Sequence, residues 1–225
     1  MKKSLTLLLL TFYCFLHGQE TLIEVNDSIA QYENLPINNG LSYENKYWNT
    51  TNDTKQFYNN EYTKCTISYD GKLYSDVKLK FDILNNQILF KPKFNVISEI
   101  VLINELVDYF IINQKKFIKL NINNHYQYFE EIKINNEDSL LIKHVKTFKE
   151  DLSTGEKKYS FYDNFEIYLN HKKAYYLLNN KNSLITIFPN YKKEIQNFYK
   201  SNELLKENNL ILFYTKLINE LISIK

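Results

Sequence analysis

Between Tyr62 and Lys91 apolar and polar residues alternate with a period of two over "YTKCTISY" and "VKLKFDI", with turn residues between and after them. Period two places successive side chains on opposite faces of a strand, so this stretch is dictated to be sheet. "YTKCTISY" puts Cys65, Ile67 and Tyr69 on one face. Asp70-Gly71 is a two-residue hairpin signal, because both positions need positive φ. "LYSDVKLKFDI" then alternates Val77, Leu79, Phe81 and Ile83 against Asp76, Lys78, Lys80 and Asp82. Asn85-Asn86 turns the chain into "QILF". The reading is a β-meander with one wet face carrying Asp82.

The pattern continues along the chain. "EIVLINELVDYFII" reads as one strand pairing with "KKFIKLNI" across Asn113-Gln114. "YQYFEEIKI" pairs with "SLLIKHVKTFKE" across "NNED". "KKYSFYDNFEIYL" returns after Ser153-Thr154-Gly155, with Tyr159, Phe161, Phe165, Ile167 and Leu169 on one face, and "KAYYLL" closes the series. Short local joins predict an antiparallel sheet of roughly eight to ten strands, without parallel βαβ units.

The period changes near the C-terminus. Pro189 is placed to start a helical segment, with Tyr191, Ile195, Phe198 and Tyr199 at helical spacing behind it. Leu210, Phe213, Tyr214, Leu217, Ile218, Leu221 and Ile222 form one stripe at i, i+3, i+4, i+7 spacing. The expected fold class is α+β: an antiparallel β-meander sheet covered by C-terminal amphipathic helices. Strands are expected over 61–180 and helices over 183–223, in one domain spanning 61–225.

The N-terminus reads as an export signal. Lys2 and Lys3 precede an apolar run from Leu5 to Leu16, and Gly18 follows. That is the order of a signal peptide over 1–18, and the run is too short to span a bilayer. Cys14 suits lipid attachment poorly, since bulky Phe12 and Tyr13 precede it and the apolar run continues past it. After cleavage Cys65 is the sole cysteine, expected as a buried thiol with no disulfide. The expected location is the periplasm or cell envelope, with no transmembrane helix after cleavage. Residues 19–60 read as a polar, aromatic-rich loop region, a long loop or short edge strands, containing the single tryptophan, Trp48. Trp48 is the candidate ligand contact, by stacking on a sugar or touching a partner; the plainer reading makes it an anchor of the loop.

Several chemistries are disfavoured. The net charge is +2 with no basic block in the mature chain, so no nucleic-acid footprint is expected. The four glycines lie apart, which excludes P-loop and dinucleotide fingerprints. His125, His144 and His171 lack metal-ligand spacing, and no metal or cofactor is expected. Glu130-Glu131, Glu137-Asp138 and Glu150-Asp151 are adjacent pairs, and neighbours on a strand face opposite ways. No catalytic residue is assigned.

The stretch Tyr69, Gly71, Tyr74, Val77, Leu79, Phe81 and Asp82, following an aromatic-rich loop, resembles a pattern in uncharacterised secreted proteins of Bacteroidota. The tail "KNSLITIFPNYKKEIQNFYK" with a final amphipathic helix is similar to theirs. The resemblance implies an envelope location and gives no activity; a structural role for these seven residues is expected. The favoured reading is an exported, monomeric, non-catalytic binding module for a protein or glycan. A periplasmic carrier of an apolar ligand in a sheet–helix cavity is the alternative, and a glycan-acting hydrolase the second.

Overall fold

A computed structural model describes residues 32, 34–93, 99–122, 125–153 and 155–223. The signal-peptide reading, with Cys14 and Gly18, lies outside the described residues. The described chain forms one antiparallel sheet of eleven strands followed by four short helices, so the sheet dominates an α+β make-up. The strands are β1 (Leu41–Ser42), β2 (Thr63–Tyr69), β3 (Lys72–Asp82), β4 (Gln87–Lys91), β5 (Ile100–Val101), β6 (Val107–Ile112), β7 (Lys115–Ile122), β8 (His125–Lys133), β9 (Asp138–Asp151), β10 (Lys158–His171) and β11 (Ala174–Leu177). The helices are α1 (Lys181–Ile187), α2 (Lys192–Ser201), α3 (Glu203–Asn208) and α4 (Leu210–Ser223). Among the described residues no helix is long and apolar enough to cross a membrane.

The sheet order is β1-β5-β4-β3-β2-β6-β7-β8-β9-β10-β11. It is local except at two points: the chain runs from β1 at one edge to β2 in the interior, and it leaves β5 near that same edge and returns as β6 beside β2. This corrects the reading of "EIVLINELVDYFII" as one strand. A 3-10 turn at Asn104–Leu106 splits it, and its two ends pair with different neighbours. The turns obey the expected chemistry. Asp70 and Gly71 both have positive φ, as do Asn113 with Gln114 and Lys172 with Lys173; two left-handed residues match the twist of the strands they join.

β3 carries an extra residue. Cys65 pairs with Val77 and Ile67 with Tyr74, so Ser75-Asp76 bulges, with Asp76 left-handed. Below the bulge Leu79 and Phe81 are buried as expected, but Asp82 is buried too. The wet-face reading of Asp82 is therefore corrected. Residues 56–58 run alongside the end of β3, with Phe57 bridged to Asp82, and they shield that carboxylate. Its Oδ1 accepts from the Asn85 backbone N–H at 3.0 Å and its Oδ2 from the Asn85 amide at 2.8 Å.

The sheet curls on itself. β3 and β8 lie four strand spacings apart, roughly 19 Å if flat. Yet the Phe81 and Tyr128 rings meet at 5.7 Å, and the amide of Asn86 donates to the Tyr126 carbonyl at 2.8 Å. Phe81, Phe110, Phe117 and Tyr128 fill the curl edge to face, except the directly paired Phe110 and Phe117, which stack at 4.9 Å. This aromatic cluster also holds Cys65, a buried thiol whose Sγ–H donates to the Thr63 carbonyl.

A second buried cluster joins Leu140, Ile142, Ile167 and Leu169 of β9 and β10 to Leu184, Ile195, Phe198, Phe213, Tyr214, Leu217, Ile218 and Leu221 of the helices. The α4 stripe is the one its spacing predicts. Asn180 starts α1 by accepting from the Asn182 and Ser183 backbone N–H groups. Pro189 opens a 3-10 turn into α2, and Asn209 accepts from Leu212 at the head of α4.

Candidate functional site

Three features bear on function: a strap bearing Trp48, a charged seam between the two clusters, and a cleft beside the helices.

The strap is the chain from β1 to β2. Tyr43 donates its backbone N–H to Glu99 beside β5. Thr51 donates to the Tyr159 carbonyl at 2.9 Å, and Tyr159 donates to the Asn49 carbonyl at 3.0 Å. The Asn52 side chain both donates to the Phe161 carbonyl and accepts from the Phe161 N–H. Since β9 occupies one side of β10, the strap lies along its other edge, beyond β11. Residues 56–58 then join β3. The strap thus ties strands near opposite ends of the sheet.

Within the strap Tyr47 is the anchor. Its ring meets Tyr159, Phe161 and Phe148 at 5.0, 5.6 and 5.4 Å. Its backbone N–H donates to Asn45, and the Asn49 side chain donates to the Lys157 carbonyl. Trp48, between these pinned residues, is 74% exposed. The polar side of the strap is fixed by Gln56, buried and donating to Tyr43 Oη at 3.1 Å and Asn45 Oδ1 at 2.9 Å. Burial pushes the Tyr43 phenol up to about 12.

The seven resemblance residues do not converge on a cleft. Tyr69, Leu79 and Phe81 lie in the aromatic cluster, and Tyr74 and Val77 pack against it. Gly71 holds the turn and Asp82 braces Asn85.

The seam is built from β7, β8 and β9. Lys115 Nζ lies 3.0 Å from Glu130 Oε1, and His144 Nε2 lies 2.8 Å from Glu130 Oε2. The Tyr58 ring packs edge-on against both His144 and Phe117. Burial pushes the Glu130 carboxyl up, but hydrogen bonds from His144 and Lys115 outweigh it and hold the group below the usual range. Glu131, on the opposite face, pairs with Lys116 instead. Lys146, also buried, meets Asp163 on the seam's face one pair further along β9.

The cleft encloses about 360 Å³. Its polar wall is Asn135, Glu137, Asp138, His171 and Lys172; its apolar wall includes Phe188, Tyr191 and Leu221. Asp138 and His171 are directly paired across β9 and β10, and His171 Nδ1 hydrogen-bonds Asp138 Oδ1. Asp138 Oδ2 accepts from the Asn135 amide at 2.8 Å. The His171 ring meets Phe188 at 5.1 Å.

Both His–carboxylate pairs escape a reading by spacing along one element. The hairpin register holds the signal: Glu130 pairs with Ile142, which puts His144 on its diagonal. Among the described residues no group of three or more His, Cys, Asp and Glu side chains is placed to hold a metal ion. Comparison with known proteins found no matching family model, no matching curated protein and no matching solved structure.

Proposed function

We propose that this chain is a non-catalytic binding module of the cell envelope, gripping a protein or glycan partner through the strap that bears Trp48. The observation that carries this reading is the contrast between Trp48 and its neighbours. Tyr47 is sunk among three rings and Asn49 is paired to β10, while the indole between them stands in solvent. A large aromatic held outward on a pinned backbone loses little freedom on binding, which is what a recognition contact needs. An indole face suits a sugar ring or an apolar partner side chain equally.

Export supplies the compartment in this reading. Residues 1–18 have signal-peptide order, and the resemblance to secreted Bacteroidota proteins points the same way. The C-terminal helices serve as the cover of the apolar sheet face at β9 and β10. A carrier holding a lipid-sized cargo between sheet and helices is disfavoured, because the layer between β9–β10 and the helices is packed with buried Leu184, Ile195, Phe213 and Ile218.

Trp48 is the sole tryptophan, so its fluorescence reports its own contacts. Titration with soluble cell-wall glycan fragments, and with envelope proteins captured on the immobilised chain, should shift that emission saturably. Trp48→Ala should abolish capture with an unchanged melting temperature. Binding that survives Trp48→Ala would overturn the reading.

A further inference from the structure

We propose that the cleft between the β8–β9 turn, the end of β10 and the helices is a binding site for a small hydroxyl-bearing aromatic molecule of the substituted-phenol class. The proposal goes beyond the Trp48 strap and shares no residue with it.

The chemistry of His171 sets the ligand's polar end. An ionised carboxylate only accepts hydrogen bonds, so the proton between Asp138 and His171 belongs to Nδ1. Asp138 is saturated on its other oxygen by Asn135. With Nδ1 taken by Asp138, Nε2 is the ring nitrogen left for a ligand. Nε2 has no hydrogen-bond partner among the described residues, and His171 lines the cleft. A hydroxyl, which both donates and accepts, is the group that can meet this nitrogen in either of its roles. The seam histidine differs: His144 uses Nε2 on Glu130 and is packed between Tyr58 and Phe117.

The opposite wall sets the ligand's body. Phe188, Tyr191, Ile187 and Leu221 present rings and branched carbons from the α1–α2 junction and α4. Glu137 and Lys172 carry opposite charges at the polar wall, so a neutral ligand suits it better than an ion. The volume lies at the small end of ligand sites, which fits one substituted ring better than a lipid chain.

The test is an NMR titration of the full mature chain with 4-methylphenol, 4-methylanisole and toluene. Saturable shifts at His171, Phe188, Tyr191 and Leu221 are expected. Binding of 4-methylphenol should be about tenfold tighter than of 4-methylanisole, the loss of one hydroxyl donor. His171→Phe should bring the two ligands to equal affinity. Should that variant fail to fold, the wild-type comparison decides alone. Equal affinities for the phenol and its methyl ether, shifts mapping elsewhere, or no saturable shift would each overturn the proposal.

Discussion

The two buried clusters solve the same problem by opposite means. In the aromatic cluster the sheet hides its own apolar face: β3 and β8 curl until Phe81 meets Tyr128, and Phe110 stacks on Phe117 between them. In the second cluster β9 and β10 contribute only Leu140, Ile142, Ile167 and Leu169, and the helices bring the remaining apolar surface. Large rings on successive strands span a curl; smaller aliphatic residues need a second layer. The charged seam of Lys115, Glu130 and His144 lies where the two solutions meet. Phe117 of the first cluster pairs directly with Glu130, which pairs with Ile142 of the second.

The largest effect should come from removing the C-terminal helices. A chain ending at Asn180 exposes four β9 and β10 residues worth about 1.5–3 kcal/mol each. That is comparable to a whole domain's stability of about 5–15 kcal/mol. The fragment should aggregate or lose its cooperative melt, read by calorimetry. A soluble fragment with a sharp transition would show that the curled part stands alone and would break the symmetry between clusters.

A single ring deletion comes next. Phe117→Ala removes contacts with Phe81, Phe110, Tyr58 and His144 at once. A loss of about 3–5 kcal/mol is expected in urea unfolding. Because Phe117 also touches the seam, a partner change at Leu217 of α4 gives the control. The two losses should add, within about 0.5 kcal/mol, if the clusters are independent. A large coupling would mean the seam transmits packing between them.

How far the sequence reveals this architecture follows the same divide. Strand identities, the turns at Asp70-Gly71 and Asn113-Gln114, and the α4 stripe were open to periodicity, since each is a local property. The return of β6 to β2 was hidden, because "EIVLINELVDYFII" has no glycine or proline to mark the break at Asn104–Leu106. The curl was hidden as well: alternation says which face is apolar but not what meets it. Trp48 was legible as the loop's conspicuous aromatic, whereas its anchor, Tyr47, has no mark separating it from the other tyrosines. The cleft required both the 138–171 pairing and the helix docking, neither of which is local.

The seam offers a pH-dependent test of smaller size. The Glu130 carboxyl is held below its usual range in the folded protein. Its stabilising contribution is therefore present above the unfolded value of about 4.3 and lost as pH falls through the folded value. Glu130→Gln should cost about 1–3 kcal/mol at neutral pH. The gap to wild type should close in acid, where the carboxyl is protonated in either state. Urea midpoints at neutral and acidic pH measure it. A gap that persists unchanged in acid would assign the cost to packing instead of charge.

The smallest effect sharpens the contrast between the seam and the buried carboxylate beneath the strap. Asp82 is buried against residues 56–58 and makes no ion pair among the described residues; burial raises its carboxyl, only partly offset by hydrogen bonds from Asn85 and Leu84. A raised folded value reverses the sign. The contribution is favourable below the unfolded value of about 3.9 and is lost as pH rises through the folded value. Asp82→Asn keeps an acceptor for the Asn85 backbone N–H, and rotation of the Asn85 amide restores the second hydrogen bond. The variant should match or exceed wild type at neutral pH, by no more than about 1 kcal/mol. That advantage should shrink as pH falls, so Asp82→Asn and Glu130→Gln should approach wild type from opposite sides. Two variants approaching from the same side would mean that burial, and not the presence of Lys115 and His144, governs both carboxylates.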